Sequence, residues 1–425
     1  MEVHGSTGEP WHLTLVETGE DTPTGGRLRK VAELRKGAME DLVKSAWQGR
    51  KVFLTGHTGF KGGWLALRLA HLGANVRGYA LAPATEPSFF STARVDRVID
   101  DIRGDLREPS ALDRAMREFQ PEAVFHLAAQ ALVRPSYADP VGTYSTNVMG
   151  TAHVLESIRK LPSVRAAVIV TTDKCYLNRE WHWGYRETDP LGGNDPYSSS
   201  KACVEILSAS YRNSYFPPER FATHGVALAT ARAANVIGGG DWSEDRLLPD
   251  LIRGFLSGKP VLIRRAHAIR SWQHVLEPVA GYLALGERLL AGEMEFAEAW
   301  NFGPWDDDAW PVGQIATEMA HRWGNGASWI ADESESVHEA GYLKVDSSKA
   351  RSRLHWRPRL KLQSALEWLV DWYQAWHHGA NMHEFSLSQI ARYETLMRAS
   401  GGDSPAIEPA PANPDTEKTL KESVC

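Results

Sequence analysis

From residue 51 onward, short apolar runs alternate with longer stretches whose apolar positions recur three and four apart. "KVFLTG" is an apolar run ended by glycine. "GGWLALRLAHLG" places Trp64, Leu65, Leu67, Leu69 and Leu72 mostly on one side of a helix, and Gly73 closes it. The alternation continues. "NVRGYAL", "EAVFHLAA", "RAAVIVTTD" and "GVALATARAANVIG" read as strands. "PSALDRAMREF", with an Asp/Ser-type start, "NVMGTAHVLESIRK" and "PYSSSKACVEILSASYRNSY" read as helices. Strands separated by helices of roughly 10–15 residues predict βαβ units and an α/β fold with a doubly wound parallel sheet. After about residue 236 the pattern loosens into a helix ("LLPDLIRGFLSG"), a strand ("KPVLIRR") and a helix ("PVAGYLALGERLL"). The aromatic-rich helix "QSALEWLVDWYQAWHH" is read as packing. The expected layout is a first domain over 45–235 and a smaller C-terminal α/β domain over 236–400, with interleaved boundaries. Residues 1–44 and 401–425, rich in Gly, Thr, Pro and charge, read as tails, and Met39 is a sensible alternative start.

Composition narrows the classes. The 425 residues carry a formal net charge of -6, which argues against a general nucleic-acid binder. Cys175, Cys203 and Cys425 form no CxxC and no zinc-type spacing, so the expectation is a reducing cytoplasm and no structural metal. No apolar run approaches the ~20 residues of a membrane span. The opening "MEVHGSTGEPWHL" lacks the basic and apolar regions of a secretory signal.

"TGHTGFKG" lies between the first strand and first helix, with Gly56, Gly59 and Gly62 spaced GxxGxxG. Glycines there let the backbone approach a pyrophosphate, and the helix start supplies N–H groups. Phe60 belongs to the same turn, and His57 and Lys61 add polar or positive character near the phosphates. An acid at the end of the second strand, expected for a ribose, is missing: that strand ends "RGYAL". Residue types therefore leave NAD and NADP open, and Arg77 would suit a 2′-phosphate. Asp101 and Ile102, after the next strand, are placed to meet adenine, although Asp101 could equally cap a helix.

"TTDKCY" sets two hydroxyls, a carboxylate, an ammonium and a phenol at the mouth of a core strand. The following helix opens "YSSSK", with Tyr197 and Lys201 at i,i+4 on one face. A phenol moved from about 10 toward 7 needs roughly 4 kcal/mol of electrostatic help, which Lys201 and a cationic nicotinamide could supply. Thr172 would complete a proton relay to a substrate alcohol.

The glycine loop, "FHLAAQ", Asn147, "TTD" and YxxxK, in this order, resemble extended short-chain dehydrogenases/reductases acting on nucleotide sugars. "GHTGFKGGWL", "AAQALVRPSYADP", "TTDKCY", "YRETDPLGGNDPYSSSKACVE", "ARAANVIGGGDW" and "SWQHVLEP" resemble the CDP-glucose 4,6-dehydratase family more narrowly, over about residues 45–400. The resemblance implies a Rossmann domain, NAD as cofactor, CDP-glucose as substrate, a cytoplasmic homodimer or homotetramer, and no membrane or nucleic-acid partner. It implies oxidation at C4, loss of water across C5 and C6, and hydride return to C6. Asp173 is then the acid for the departing hydroxyl, if burial raises its pKa. Lys174 stands where related dTDP-glucose dehydratases have glutamate. Neutral, it could take the C5 proton; charged, it could stabilise the enolate or merely neutralise Asp173. The resemblance further implies Leu127, Ala128 and Ala129 beside the cofactor, and Gln130, Arg134, Asn235 and Arg270 beside the substrate. Trp242 and Trp272 read as walls. A nucleotide-sugar 4-epimerase is the alternative, but it has no use for an acid at 173.

Overall fold

The computed structural model describes residues 46–332 and 341–399; the expected tails and Met39 lie outside them. The first strands are β1 (Lys51–Thr55), β2 (Asn75–Ala80), β3 (Asp100–Arg103), β4 (Ala123–His126), β5 (Ala166–Val170) and β6 (Ala227–Ala233). Three strands, β7 (Asn235–Ile237), β8 (Val261–Arg264) and β9 (Ile269–His274), then leave the sheet, and β10 (Ala299–Phe302) returns to it. The resulting seven-stranded sheet is parallel throughout, in the order 3-2-1-4-5-6-10. Its strands are covered on both faces, which explains runs such as "AAVIV" in which all five residues are buried.

Alternate side chains of each strand enter two cores. Leu54 and Val168 join the core formed with α1 (Phe60–His71) and the later helices, whereas Phe53 and Ile169 face the opposite one. That second core is closed by α2 (Pro109–Phe119), α3 (Gly150–Arg159) and α4 (Pro196–Ser214). A smaller lobe follows. It holds α5 (Leu247–Leu256), α7 (Val312–Trp323), a parallel pair of β8 with β12 (Trp329–Asp332), and a sheet of β7, β9, β11 (Ala309–Pro311) and β13 (Tyr342–Leu343). Between them in sequence, α6 (Leu276–Leu290) packs back onto the main core, with α8 (Leu362–His377) and α9 (Met382–Ala399). Later in sequence than β7 to β9, α6 packs on the first sheet's core and β10 joins that sheet.

Three local readings change. "GVALATARAANVIG" is two strands: β6 stays with β10, and after Ala234 the chain crosses to pair β7 with β9. "TTD" is not strand, because the chain turns into a single 3-10 turn at Asp173–Cys175. The helix over 109–119 starts on Pro109, without a side-chain cap from Glu108. The aromatic helix α8 does pack inward, with Trp368, Trp372 and Tyr373 buried.

Candidate functional site

A cleft of about 850 Å³ opens at the carboxyl ends of β1, β4, β5 and β6, where strand order reverses, and the smaller lobe forms its far wall. The glycine loop forms its floor. Gly56 has φ +79°, and a Cβ there would sit 2.6 Å from the backbone nitrogen of Ala128. A Cβ on Gly62 would sit 2.0 Å from the Gly56 carbonyl oxygen. The loop is therefore closed by backbone against backbone, and the first turn of α1 faces the cleft, as a dinucleotide pyrophosphate requires. Gly59, Phe60, Leu127 and Ala129 also line it. Of the two tryptophans expected as walls, both buried, Trp272 lines the cleft, whereas Trp242 does not and packs on Tyr373 and Trp376.

Several expected cofactor contacts lie elsewhere. His57 does not line the cleft. Its ring lies under Gly78, where a Cβ would come within 2.4 Å of the imidazole, and its Nε2 pairs with Asp101 at 2.7 Å. Burial holds its pKa below the usual value despite that carboxylate. Asp101 and Ile102 fall inside β3 rather than after it, and neither lines the cleft. Asp101 is spent on His57 and on Arg103, at 2.8 Å. Arg77 is bonded to Asp100 at 2.6 Å, lies over Phe119 and does not line the cleft. Where the ribose acid is missing, Ala80, Leu81 and Ala82 line the wall.

The reactive groups meet at the end of β5. The Thr172 hydroxyl donates to Oδ1 of Asp173 at 3.0 Å, and Oδ2 of Asp173 is buried without a protein partner. Burial raises the Asp173 pKa, outweighing Lys174, Thr172, Arg270 and Lys61, all of which lower it. Lys174 is half-buried and lines the cleft. Tyr197 is pushed up to about 12 by burial; the Thr172 hydroxyl and the Arg246 charge pull the other way. Lys201 lies one helical turn further along α4. Its own pKa is lowered by burial to about 8, and its ammonium donates to the Val170 carbonyl at 3.2 Å. Lys61 also lines the cleft. Burial first, then the Arg246 and Lys201 charges, bring it to about 7, and it donates to the Tyr282 hydroxyl at 3.4 Å.

The residues expected beside the substrate all line the cleft. The Gln130 amide is used within its own loop, donating to Leu132 O at 2.9 Å and Thr143 Oγ1 at 3.0 Å. Asn147 clamps that loop to α4: it accepts from Gln130 N at 2.8 Å and donates to Ser200 Oγ at 2.8 Å. Arg134 pairs with Asp245 at 3.0 Å at the rim. Asn235 donates to Ser271 O at 3.3 Å. Arg270 donates to Ile269 O and Gly341 O, and its charge reaches Asp173. The sequence reading missed Arg246. It lines the cleft and acts on both Tyr197 and Lys61, but nothing in "DWSEDRLLPD" distinguishes it from a surface arginine. Among the described residues no group of His, Cys, Asp and Glu could hold a metal ion.

Comparison with known proteins places this geometry. The family model described as GDP-mannose 4,6 dehydratase matches residues 53–368. A CDP-glucose 4,6-dehydratase of Salmonella typhimurium is 50% identical over 350 residues, covering 82% of this chain and 98% of the relative. Among solved structures, a UDP-glucose 4-epimerase with UDP-glucose from Thermotoga maritima has TM-score 0.66 at 21% identity, covering 76% of this chain and 98% of that one. A dTDP-glucose 4,6-dehydratase of Bacillus anthracis in complex with NAD has TM-score 0.63 at 19% identity, covering 78% and 99%.

Proposed function

The chain belongs to the GDP-mannose 4,6-dehydratase family, and on that premise we propose that it converts CDP-glucose to CDP-4-keto-6-deoxyglucose and water with NAD as cofactor. One observation favours dehydration over epimerisation on the shared fold. Asp173 is a buried carboxyl whose pKa burial raises, one of whose oxygens has no protein partner. A 4-epimerase has no step that uses it. The choice of cytidine rests on the relative that is 50% identical.

The glycine loop, α1 and the apolar wall of Leu127 to Ala129 would hold the dinucleotide. When bound, NAD supplies the hydride acceptor and donor. Tyr197 takes the proton of the C4 hydroxyl, assisted by Thr172 and Arg246, which oppose the upward pull of burial on its pKa. Asp173 gives its proton to the hydroxyl leaving C6. Lys174 either takes the C5 proton or, charged, stabilises the enolate. Gln130 and Arg134 would meet the sugar, Asn235 the diphosphate, and the Arg270 guanidinium a phosphate or the cytidine ribose; all four line the cleft.

We further propose a homodimer. Val141, Met149 and Ile206 are 78%, 52% and 59% exposed on adjoining helical segments, an apolar face that a second copy would cover. Unpaired Cys175 and Cys203 and a nucleotide-sugar substrate suit a cytoplasmic setting. The function is tested by incubating the purified protein with CDP-, dTDP-, UDP- and GDP-glucose, with and without NAD. A 4-keto-6-deoxy product from CDP-glucose is expected. An epimerised product, or none from any donor, would overturn the reading.

A further inference from the structure

One buried ion pair grips the 171–176 turn at both ends. Glu205 lies one helical turn beyond Lys201 on α4. Its carboxylate accepts from the Thr171 hydroxyl, from Thr230 Oγ1 at 2.7 Å and from Arg232 Nη2 at 2.8 Å. Arg232, on β6, sends its other arm to the Tyr176 hydroxyl at 2.7 Å and to Glu187 O at 3.1 Å. Its guanidinium also lies 5.0 Å over the Tyr176 ring, and Tyr176 donates onward to Asn301 Oδ1 at 2.7 Å. The Arg232 and Glu205 side chains are 4% and 2% exposed. Thr172, Asp173 and Lys174 lie between the two gripped ends.

Stability is a poor reason for such a pair. Desolvating two charges offsets most of their attraction, and well-packed apolar groups commonly do as well. A forked guanidinium, by contrast, sets distances. The groups that oxidise C4 have anchors of their own. Tyr197 and Lys201 ride on α4, and Thr172 follows a ladder bond from Thr171 N to Ala231 O of 2.8 Å. Asp173 and Lys174 sit beyond that bond, in the 3-10 turn.

We propose that the Glu205–Arg232 pair is a positioning device for the elimination step, holding both ends of the 171–176 turn so that Asp173 meets the hydroxyl leaving C6. In that step the C5 proton passes to a base, neutral Lys174 in one of the two readings above, its electron pair forms the C5–C6 double bond, the C6–O bond breaks and the hydroxyl departs as water with the Asp173 proton. The proposal rests on the dehydratase reading above.

Tyr176→Phe and Thr171→Val each release one end with almost no change of shape. Each is expected to lower kcat for CDP-glucose by roughly 10- to 100-fold, as displacements near 1 Å do, with KM within about 3-fold. The fraction of enzyme holding reduced cofactor in the steady state rises, because oxidation then outruns water loss. Independently of turnover, hydrogen exchange of amides 172–176 in the cofactor-free protein quickens by about 10-fold or more, while amides of α4 keep their rates. A folded Tyr176→Phe protein with unchanged kcat and unchanged exchange would overturn the proposal. So would a fall in kcat without reduced cofactor accumulating, which places the defect in oxidation. Wild-type protein that dehydrates no nucleotide sugar sinks the dehydratase reading instead, and the exchange measurement still decides whether the pair holds the turn.

Discussion

The Thr172 hydroxyl donates to one oxygen of Asp173 at 3.0 Å, and the other oxygen of that carboxyl is buried with no protein partner. One residue thus orients the carboxyl while its second oxygen remains available to a substrate. Asp173→Asn keeps the shape and removes the transferable proton. It is expected to lower kcat for CDP-glucose by about 10²- to 10⁴-fold, the range of a lost general acid, with little change in KM. Because the acid works protonated, wild-type kcat falls as pH rises through the raised Asp173 pKa. Steady-state kinetics across pH checks both.

Lys174→Ala separates the two roles open to its amine. If Lys174 takes the C5 proton, solvent deuterium entering C5 of the product falls along with turnover. Undiminished exchange would remove it from the base role. Mass spectrometry of product formed in deuterated buffer reads this directly.

Gly62→Ala puts a Cβ 2.0 Å from the Gly56 carbonyl oxygen, a backbone atom that cannot swing aside. The loop must open, so cofactor affinity should fall by more than about 10-fold and stability by about 1–3 kcal/mol, the usual cost of overpacking. Cofactor titration and urea unfolding measure the two effects separately. Gly258, where no atom lies within 4 Å of the added Cβ, is not an unstrained control, because its φ is +65°.

Lys61 is brought from 10.5 to about 7, first by burial and then by Arg246 and Lys201. Between those values the unfolded chain binds a proton that the folded chain does not, so stability rises with pH across that window. The gain is complete above the unfolded pKa and is lost as pH falls through about 7. In Lys61→Met, the urea midpoint of the cofactor-free protein should rise less over the same window. Lys201, lowered to about 8, contributes with the same sign and leaves a residual slope.

Ile206 is 59% exposed on α4, beside Val141 and Met149. Ile206→Glu is expected to convert a dimer into a monomer in sedimentation analysis. Its small effect on the fold itself should show as a urea transition matching wild type at protein concentrations low enough to dissociate the wild-type dimer.

Much of the fold was legible because its causes are local. Continuous apolar runs make buried strands, three-and-four spacing makes α1 and α8, and glycine at 56 and 62 announces a close backbone approach. That Thr172, Tyr197 and Lys201 line one cleft was legible for a similar reason: strand end and helix start meet at the carboxyl edge of a parallel sheet. The direction of a side chain was less so. His57, in the glycine loop, and Lys61, in the first turn of α1, are four residues apart. Yet His57 turns under the sheet, because Gly78 leaves room for its ring, while Lys61 reaches the catalytic groups. Asp101 was read as a cofactor contact but is taken up by His57 and Arg103.

By itself the sequence determined the alternation of elements, the phosphate loop and the reactive turn, since each depends on neighbours a few positions away. Only the tertiary structure decided which charges act on that turn and on Tyr197 beside it. Glu205 and Arg232 are 27 residues apart, and Arg246 comes from the smaller lobe. Their influence depends on burial and separation, which arise when sheet, helix and lobe close around the same cleft.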